Sequence, residues 1–298
     1  LESSESYGGT TDQSILVSGE SGSGKTVTTK IIMGYLATQS QRMSGARSEQ
    51  HKEGIESQIL QSNPILESFG NARTVRNDNS SRFGKFMELI FTSTGTLASA
   101  SIETYLLEKV RLISQSPGER NYHIFYELLA GLTHSERRQL DLGKASPRDF
   151  RMTATSGIFD RRDGVGDLET YNELRKALDI VGFPPDEQMV MFSVCCALLH
   201  TSNIDFKTSS FAGGEEGSEL VESSSLQSAL NLWGVPMESL SNALCLCAIE
   251  ARGEVFHKRL SVEQSRKAVE ALIKATYGAL FTHVVKMINQ SIAVDQDS

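Results

Sequence analysis

The sequence predicts an α/β fold built around a phosphate-binding turn, on three observations. Gly19-Glu20-Ser21-Gly22-Ser23-Gly24-Lys25-Thr26 fits the pattern G-x-x-x-x-G-K-[ST], between an apolar run and a helix-forming stretch. An alternating run from Phe86 to Phe91 is followed by turn residues and a second strand-like run. Beyond Tyr122 helical patterns dominate.

Taken in order, Ile15-Leu16-Val17 reads as a strand, and strand, loop and helix fill Ser14 to Thr38. A strand that feeds a glycine-rich turn into a helix aims backbone N–H groups and the positive helix end at one place, which suits a triphosphate. In that arrangement Lys25 reaches the β- and γ-phosphates and the Thr26 hydroxyl ligates Mg²⁺. Residues 40–54 are polar and glycine-containing and read as a surface loop. A helix is expected from Ile55 to Asn71, with Pro64 marking a kink or break.

Asn77-Asp78-Asn79-Ser80-Ser81-Arg82-Phe83-Gly84-Lys85 then forms a polar loop leading into the hairpin. Its hydroxyls can complete a Mg²⁺ shell or position a water, and its arginine can neutralise charge or hold the loop closed. Such a loop can order around a γ-phosphate and relax when it leaves. The same Asn-Ser-Ser chemistry also makes ordinary surface turns. The hairpin runs from Phe86 to Phe91, through a Ser93-Thr94-Gly95 turn, to Leu97–Leu107.

In the helical part, Tyr171 to Leu178 is amphipathic, and Gly182 before Pro184 and Pro185 ends one helix and starts another. Residues 208–218 are Ser- and Gly-rich and read as a loop. Ser261 and Gln264 form a capping-box pair, after which Val269, Leu272, Ile273, Leu280, Phe281, Val284 and Ile288 mark one helix face that packs on a core.

Composition is that of a globular chain: 298 residues, 39% hydrophobic, with six prolines. A net charge of −8 speaks against a nucleic-acid surface. No apolar run has the length of a membrane span. Cys195, Cys196, Cys245 and Cys247 have neither zinc nor disulfide-framework spacing and read as buried, reduced thiols of a cytoplasmic protein.

The loop at 19–26 together with Asn77-x-x-Ser80-Ser81-Arg82-Phe83-Gly84-Lys85 closely resembles the myosin motor head. Asn63 to Thr74 resembles the helix leading into its switch I, and Gly118-Glu119-Arg120-Asn121-Tyr122-His123-Ile124-Phe125-Tyr126 resembles another of its signatures. The likeness runs from about Gln13 to the C-terminus. It implies a P-loop NTPase core of the myosin and kinesin kind, with part of a central sheet and a mostly helical, actin-binding upper half. Its parts would be 13–39 for the phosphate-loop unit, 40–54 for loop 1, 77–85 for switch I and 120–298 for the upper half.

The resemblance also implies roles. Residues 19–26 would bind ATP phosphates, Thr26 and Ser81 would ligate Mg²⁺, and Ser80, Asn77 and Ser21 would contact phosphate or the lytic water. Arg82 would pair with a switch II glutamate. Glu254 would sit on an actin-facing surface loop, as a fixed negative charge where members carry Thr, Glu, Asp or Ser. Ser23, Val27 and Leu199-His200-Thr201-Ser202-Asn203 depart from the usual family residues, which bears on class more than on activity.

Switch II itself is not found. Asp179-Ile180-Val181-Gly182-Phe183-Pro184 has proline at the glutamate position and lies at a helix end, and Asp163-Gly164-Val165-Gly166 lies in a loop. The expectation is therefore the middle of a motor head. It would be an ATP-driven actin-filament motor in the actin cytoskeleton when complete and inactive as an isolated piece, with light chains or calmodulin bound only through a neck outside this chain. Two alternatives stay open: a nucleotide-binding or scaffold module without turnover, and a kinesin-like microtubule motor.

Overall fold

A computed structural model describes residues 12–20, 22–43, 54–211, 214–251 and 254–293, with backbone alone for 250, 251 and 254–256. The stretch 12–20 forms no strand, and Ile15 and Leu16 are exposed. The expected strand at 15–17 is therefore corrected. A strand needs a partner for its backbone groups, and no described strand pairs with this stretch. Helix α1 (Lys25–Met43) runs further than its sequence pattern and takes in the first residues assigned to loop 1, with Met33 and Ala37 on its buried face. The rest of that loop, through residue 53, lies outside the described residues.

Helix α2 (Ile55–Gly70) crosses Pro64 without a break. Pro64 has no N–H for the Leu60 carbonyl, and the Asn63 side-chain amide donates to that carbonyl at 3.2 Å. The substitute bond, with Ile59, Leu66 and Phe69 almost fully buried, keeps the helix continuous. Strands β1 (Asn71–Ala72) and β2 (Ser80–Ser81) pair antiparallel, so the polar loop is tied at both ends.

Strands β3 (Gly84–Phe91) and β4 (Leu97–Tyr105) form the expected hairpin, with a bulge at Ile90/Phe91 and Gly95 at φ +81° in its turn. Leu97, Ala100 and Ile102 of β4 face the core. The backbone of Ile102 is bonded through both its N–H and its carbonyl to the Asn289 side chain, at 2.8 Å each.

Helices α3 (His123–Gly131), α4 (His134–Gln139), α5 (Arg151–Ala154), α6 (Asp167–Val181) and α7 (Pro185–Ser202) follow. Gly182 ends α6 at φ +93° and Pro185 opens α7, as read. The loop expected at 208–218 is corrected in part: β5 (Phe206–Ser210) and β6 (Glu216–Leu220) pair antiparallel. Composition suggested a loop there, but Phe206, Gly217 and Ser218 are buried, and Ser218 Oγ bonds buried Ser265 at 2.6 Å.

Helices α8 (Ser224–Trp233) and α9 (Met237–Cys245) lead to a last hairpin of β7 (Leu246–Ala251) and β8 (Glu254–Arg259), and to α10 (Val262–Ile292). The Ser261–Gln264 capping box is formed, and Val269, Ile273, Leu280, Phe281, Val284 and Ile288 are buried, with Leu272 half-buried. Cys195, Cys196 and Cys245 are buried free thiols, whereas Cys247 is exposed on β7, which corrects the reading of all four as buried.

The described strands make four separate two-stranded antiparallel sheets. The expected portion of a larger sheet is met only as hairpins, because each described strand has one partner. One core runs through the helices: α2 packs on α6, α3, α1 and α10, and α10 also reaches α7, α9 and β4.

Candidate functional site: a glycine-rich cradle and the arm beside it

Apart from Glu254, the described residues singled out in sequence fall at two neighbouring segments, 19–26 and 77–82. In the first, Ser23 N donates to Glu20 O at 3.2 Å, closing a tight turn, and the Gly24 carbonyl accepts the first helical bond from Thr28 N at 2.8 Å. Gly22 and Gly24 have φ of +85° and +87°, a region that costs residues with a Cβ roughly 1–2 kcal/mol. Lys25 opens α1 and folds back, its Nζ donating to Gly19 O at 2.5 Å and Glu20 O at 2.7 Å. An ammonium, a helix N-terminus and a glycine turn converge there, which is the geometry that receives anions. Beside it, Ile15, Leu16, Val17, Ser18, Lys25 and Thr28 line an open hollow. Ser21 lies outside the described residues.

The second loop lies against the first: a Cβ placed on Gly22 would stand 3.6 Å from the Arg76 carbonyl, one residue before Asn77. Asn77 organises its own turn. Its carbonyl accepts from Thr74 N at 2.8 Å, and its side-chain oxygen accepts from Asn79 N at 3.0 Å. Ser80 is buried and its Oγ accepts from Arg82 Nη1 at 3.2 Å. Ser81 is exposed. Among the described residues neither the Ser81 nor the Thr26 hydroxyl is taken by a protein hydrogen bond. Each is a hydroxyl oxygen of the kind that a hard cation such as Mg²⁺ accepts as a ligand. Arg82 pairs with Glu108, Nε to Oε2 at 2.7 Å, a partner that sequence reading did not find.

Asn79 is the hub that sequence reading passed over. Its Oδ1 accepts from Asn71 Nδ2 at 2.9 Å and faces His123 Nε2 at 3.2 Å. Its Nδ2 donates to Glu67 Oε2 at 3.0 Å, and Glu67 Oε1 is 2.7 Å from Lys30 Nζ on α1. Burial, with Arg120 and Arg161 nearby, holds His123 well below the usual histidine range, so it stays neutral. Since Asn79 Oδ1 is an acceptor, the neutral ring donates from Nε2. A chain of polar contacts thus joins α1, α2, the polar loop and α3. The repeated asparagines of the motif were the only local signal for it.

Glu254 lies away from these loops in chain position, opposite Ala251 in the β7–β8 register, and its side chain is outside the description. No described helix is long and apolar enough to cross a membrane, and no described acidic, histidine or cysteine cluster would hold a metal.

A helix-opening glycine turn with a hydroxyl-bearing segment beside it is a geometry that suits a phosphate-bearing ligand. The family model for the myosin head (motor domain) matches residues 6–298. Myosin-VIIa of Drosophila melanogaster is 41% identical over 94% of this chain and 12% of its own length. Myosin-14 of Arabidopsis thaliana is 41% identical over 96% of the chain and 18% of its own length. Myosin-I heavy chain of Dictyostelium discoideum is 41% identical over 94% of the chain and 11% of its own length. The chain belongs to the myosin head family, and it spans less than a fifth of the length of these relatives.

Proposed function

We propose that this chain supplies the phosphate loop and switch I of an ATP-driven actin-filament motor. The observation that supports the reading is the approach of the Arg76 carbonyl, one residue before the 77–82 arm, to Gly22 of the glycine turn. In this reading the amides of residues 19–26 grip the α- to γ-phosphates, and Lys25 leaves its loop carbonyls for the β- and γ-phosphate oxygens. Glu20 and Ser23 contribute through their backbone. Mg²⁺, when bound, would supply positive charge that offsets the charge developing on the phosphates. Thr26 and Ser81 hold it through their hydroxyls. Ser21, Ser80 and Asn77 orient the attacking water and the γ-phosphate. Arg82 gives up Glu108 for a switch II glutamate, closing the arm.

The upper half, with Glu254 on its β7–β8 hairpin, faces the actin filament, and light chains or calmodulin bind elsewhere in the whole protein. Such a motor works on the actin cytoskeleton in the cytoplasm. The alternative of a nucleotide-binding or scaffold module without turnover is not favoured by the family assignment, and neither is a microtubule motor. Steady-state MgATP turnover of the complete motor, with and without actin filaments, tests the proposal. Turnover that rises with actin and saturates supports it. Absent turnover, or a response to microtubules alone, rejects it. A Glu254→Ala motor activated by actin like the parent removes Glu254 from the actin surface.

A further inference from the structure

Arg162 stands on the loop before α6, apart from every residue assigned to the nucleotide. Its guanidinium is nevertheless spent on residues 74–78, where the 77–82 arm begins. Nη2 donates to Thr74 O at 2.8 Å and Nη1 to Val75 O at 2.9 Å. Nε lies 3.1 Å from Asp78 Oδ2 and 3.3 Å from Oδ1, and the Arg162 backbone N donates to Asp78 Oδ1 at 2.9 Å. The grip is returned from the other side. Arg73 Nη1 donates to Asp160 O at 2.7 Å, and Arg73 Nε is 3.6 Å from Asp78 Oδ1.

The held segment is anchored at its two ends, by Arg120 N donating to Arg73 O at 3.0 Å and by the Ala72–Ser80 strand pair, and its middle depends on the Arg162 grip. Val75 and Arg76 are exposed, and the Thr74–Asn77 bonds are internal to the turn. Yet it lies against Gly22 of the phosphate loop and runs directly into Asn77, Ser80 and Ser81. Where the arm begins is therefore set from outside, by the loop at 160–162.

We propose that Arg162 is a positioning residue, which with Asp78 and Arg73 clamps residues 74–78 against the phosphate loop and presets the 77–82 arm for a triphosphate. This rests on reading the site as a nucleotide pocket. A planar fork can serve two carbonyls and a carboxylate at once, whereas a lysine ammonium at the same place reaches only part of that set. The Arg162 side chain is 45% exposed, so truncation opens no cavity in the core. Its loss should act on the arm and leave the fold intact.

The experiment compares the complete motor with its Arg162→Ala, Arg162→Lys and Asp78→Asn variants. It reads amide hydrogen exchange over 74–82 without nucleotide, affinity for a fluorescent ADP analogue with Mg²⁺, kcat and KM for MgATP, and Tm. We expect Arg162→Ala to speed exchange over 74–82 by roughly fivefold and to weaken the analogue by a similar factor. KM should rise while kcat stays within about twofold and Tm within about 2 °C. Arg162→Lys should recover less than half of each loss. Asp78→Asn should reproduce the alanine phenotype, and the Arg162→Ala/Asp78→Asn pair should be less than additive. Unchanged exchange and affinity in Arg162→Ala overturn the clamp. So does full rescue by lysine together with a large fall of Tm in the alanine variant, which would mark a plain surface prop. If the parent motor binds no analogue, the nucleotide reading fails, while the nucleotide-free exchange still decides whether the clamp exists.

Discussion

Arg82 and Glu108 share one short contact, Nε to Oε2 at 2.7 Å, and the same carboxylate oxygen lies 2.8 Å from Arg111 Nε. Leu106, at φ +56°, turns the chain out of β4 so that Glu108 meets the arm. The backbones meet as well, Glu108 N donating to Arg82 O at 3.0 Å.

Burial pushes the Glu108 carboxyl up, but the bonds and charges of Arg82 and Arg111 outweigh it and leave its pKa lowered. Its contribution is therefore present above the unfolded value, near 4.5, and lost as pH falls through the folded one. With Glu108 over a third exposed, Glu108→Gln should cost only about 0.5–1 kcal/mol at neutral pH. Denaturant unfolding across pH should show parent and variant converging in acid.

Glu127 on α3 should give the opposite pH dependence. Burial pushes its carboxyl up to about 7, against hydrogen bonds from Ser68 and Thr170; Asp167 raises it further and Arg120 opposes. Between about 4.5 and about 7 the unfolded chain releases a proton that the folded chain keeps, so stability declines as pH rises through this window. Glu127→Gln should flatten that slope and raise stability at pH 8 by of order 2 kcal/mol. Urea midpoints from pH 4.5 to pH 8 measure it, and parallel curves for parent and variant would contradict the assignment.

Helix α10 closes the end of α2. Tyr277 Oη donates to Phe69 O at 2.7 Å, one of the α2 carbonyls left without a helical partner, and its ring stacks on Tyr122 at 5.1 Å. Tyr277→Phe should cost about 1–2 kcal/mol, since a buried acceptor is stranded. Ser261→Ala, which only removes the cap, should cost about 1 kcal/mol. Thermal or denaturant unfolding of both variants checks the order.

Gly22→Ala separates conformation from sterics. The added Cβ would find Arg76 O at 3.6 Å, an ordinary contact, so the penalty comes from the positive φ. Affinity for a fluorescent ATP analogue should fall about tenfold, as the cradle relaxes to escape roughly 1–2 kcal/mol of strain, with the helical core unaffected by circular dichroism.

What the sequence revealed was local. The glycine loop, the hairpin after the 77–85 segment, the Gly182 stop and the Ser261 cap each follow from residue types at fixed spacing. The strand expected at 15–17 failed because strand formation depends on a partner, which residue pattern alone does not provide. Pro64 marks a kink or break in sequence, and that the helix does not break there rests on Asn63 side-chain geometry, which no pattern announces. The β5–β6 hairpin hid behind Ser and Gly. Arg82–Glu108, Asn79–Glu67 and Arg162–Asp78 each join segments far apart in the chain, and no periodicity announces such pairs.

Hydrogen exchange of the complete motor with Mg²⁺ and a non-hydrolysable ATP analogue tests most directly whether the two loops form one pocket. Amides in 19–26 and in 77–82 should slow together, and Lys25→Ala should abolish both effects. Slowing confined to one stretch, or to neither, would contradict a shared nucleotide site.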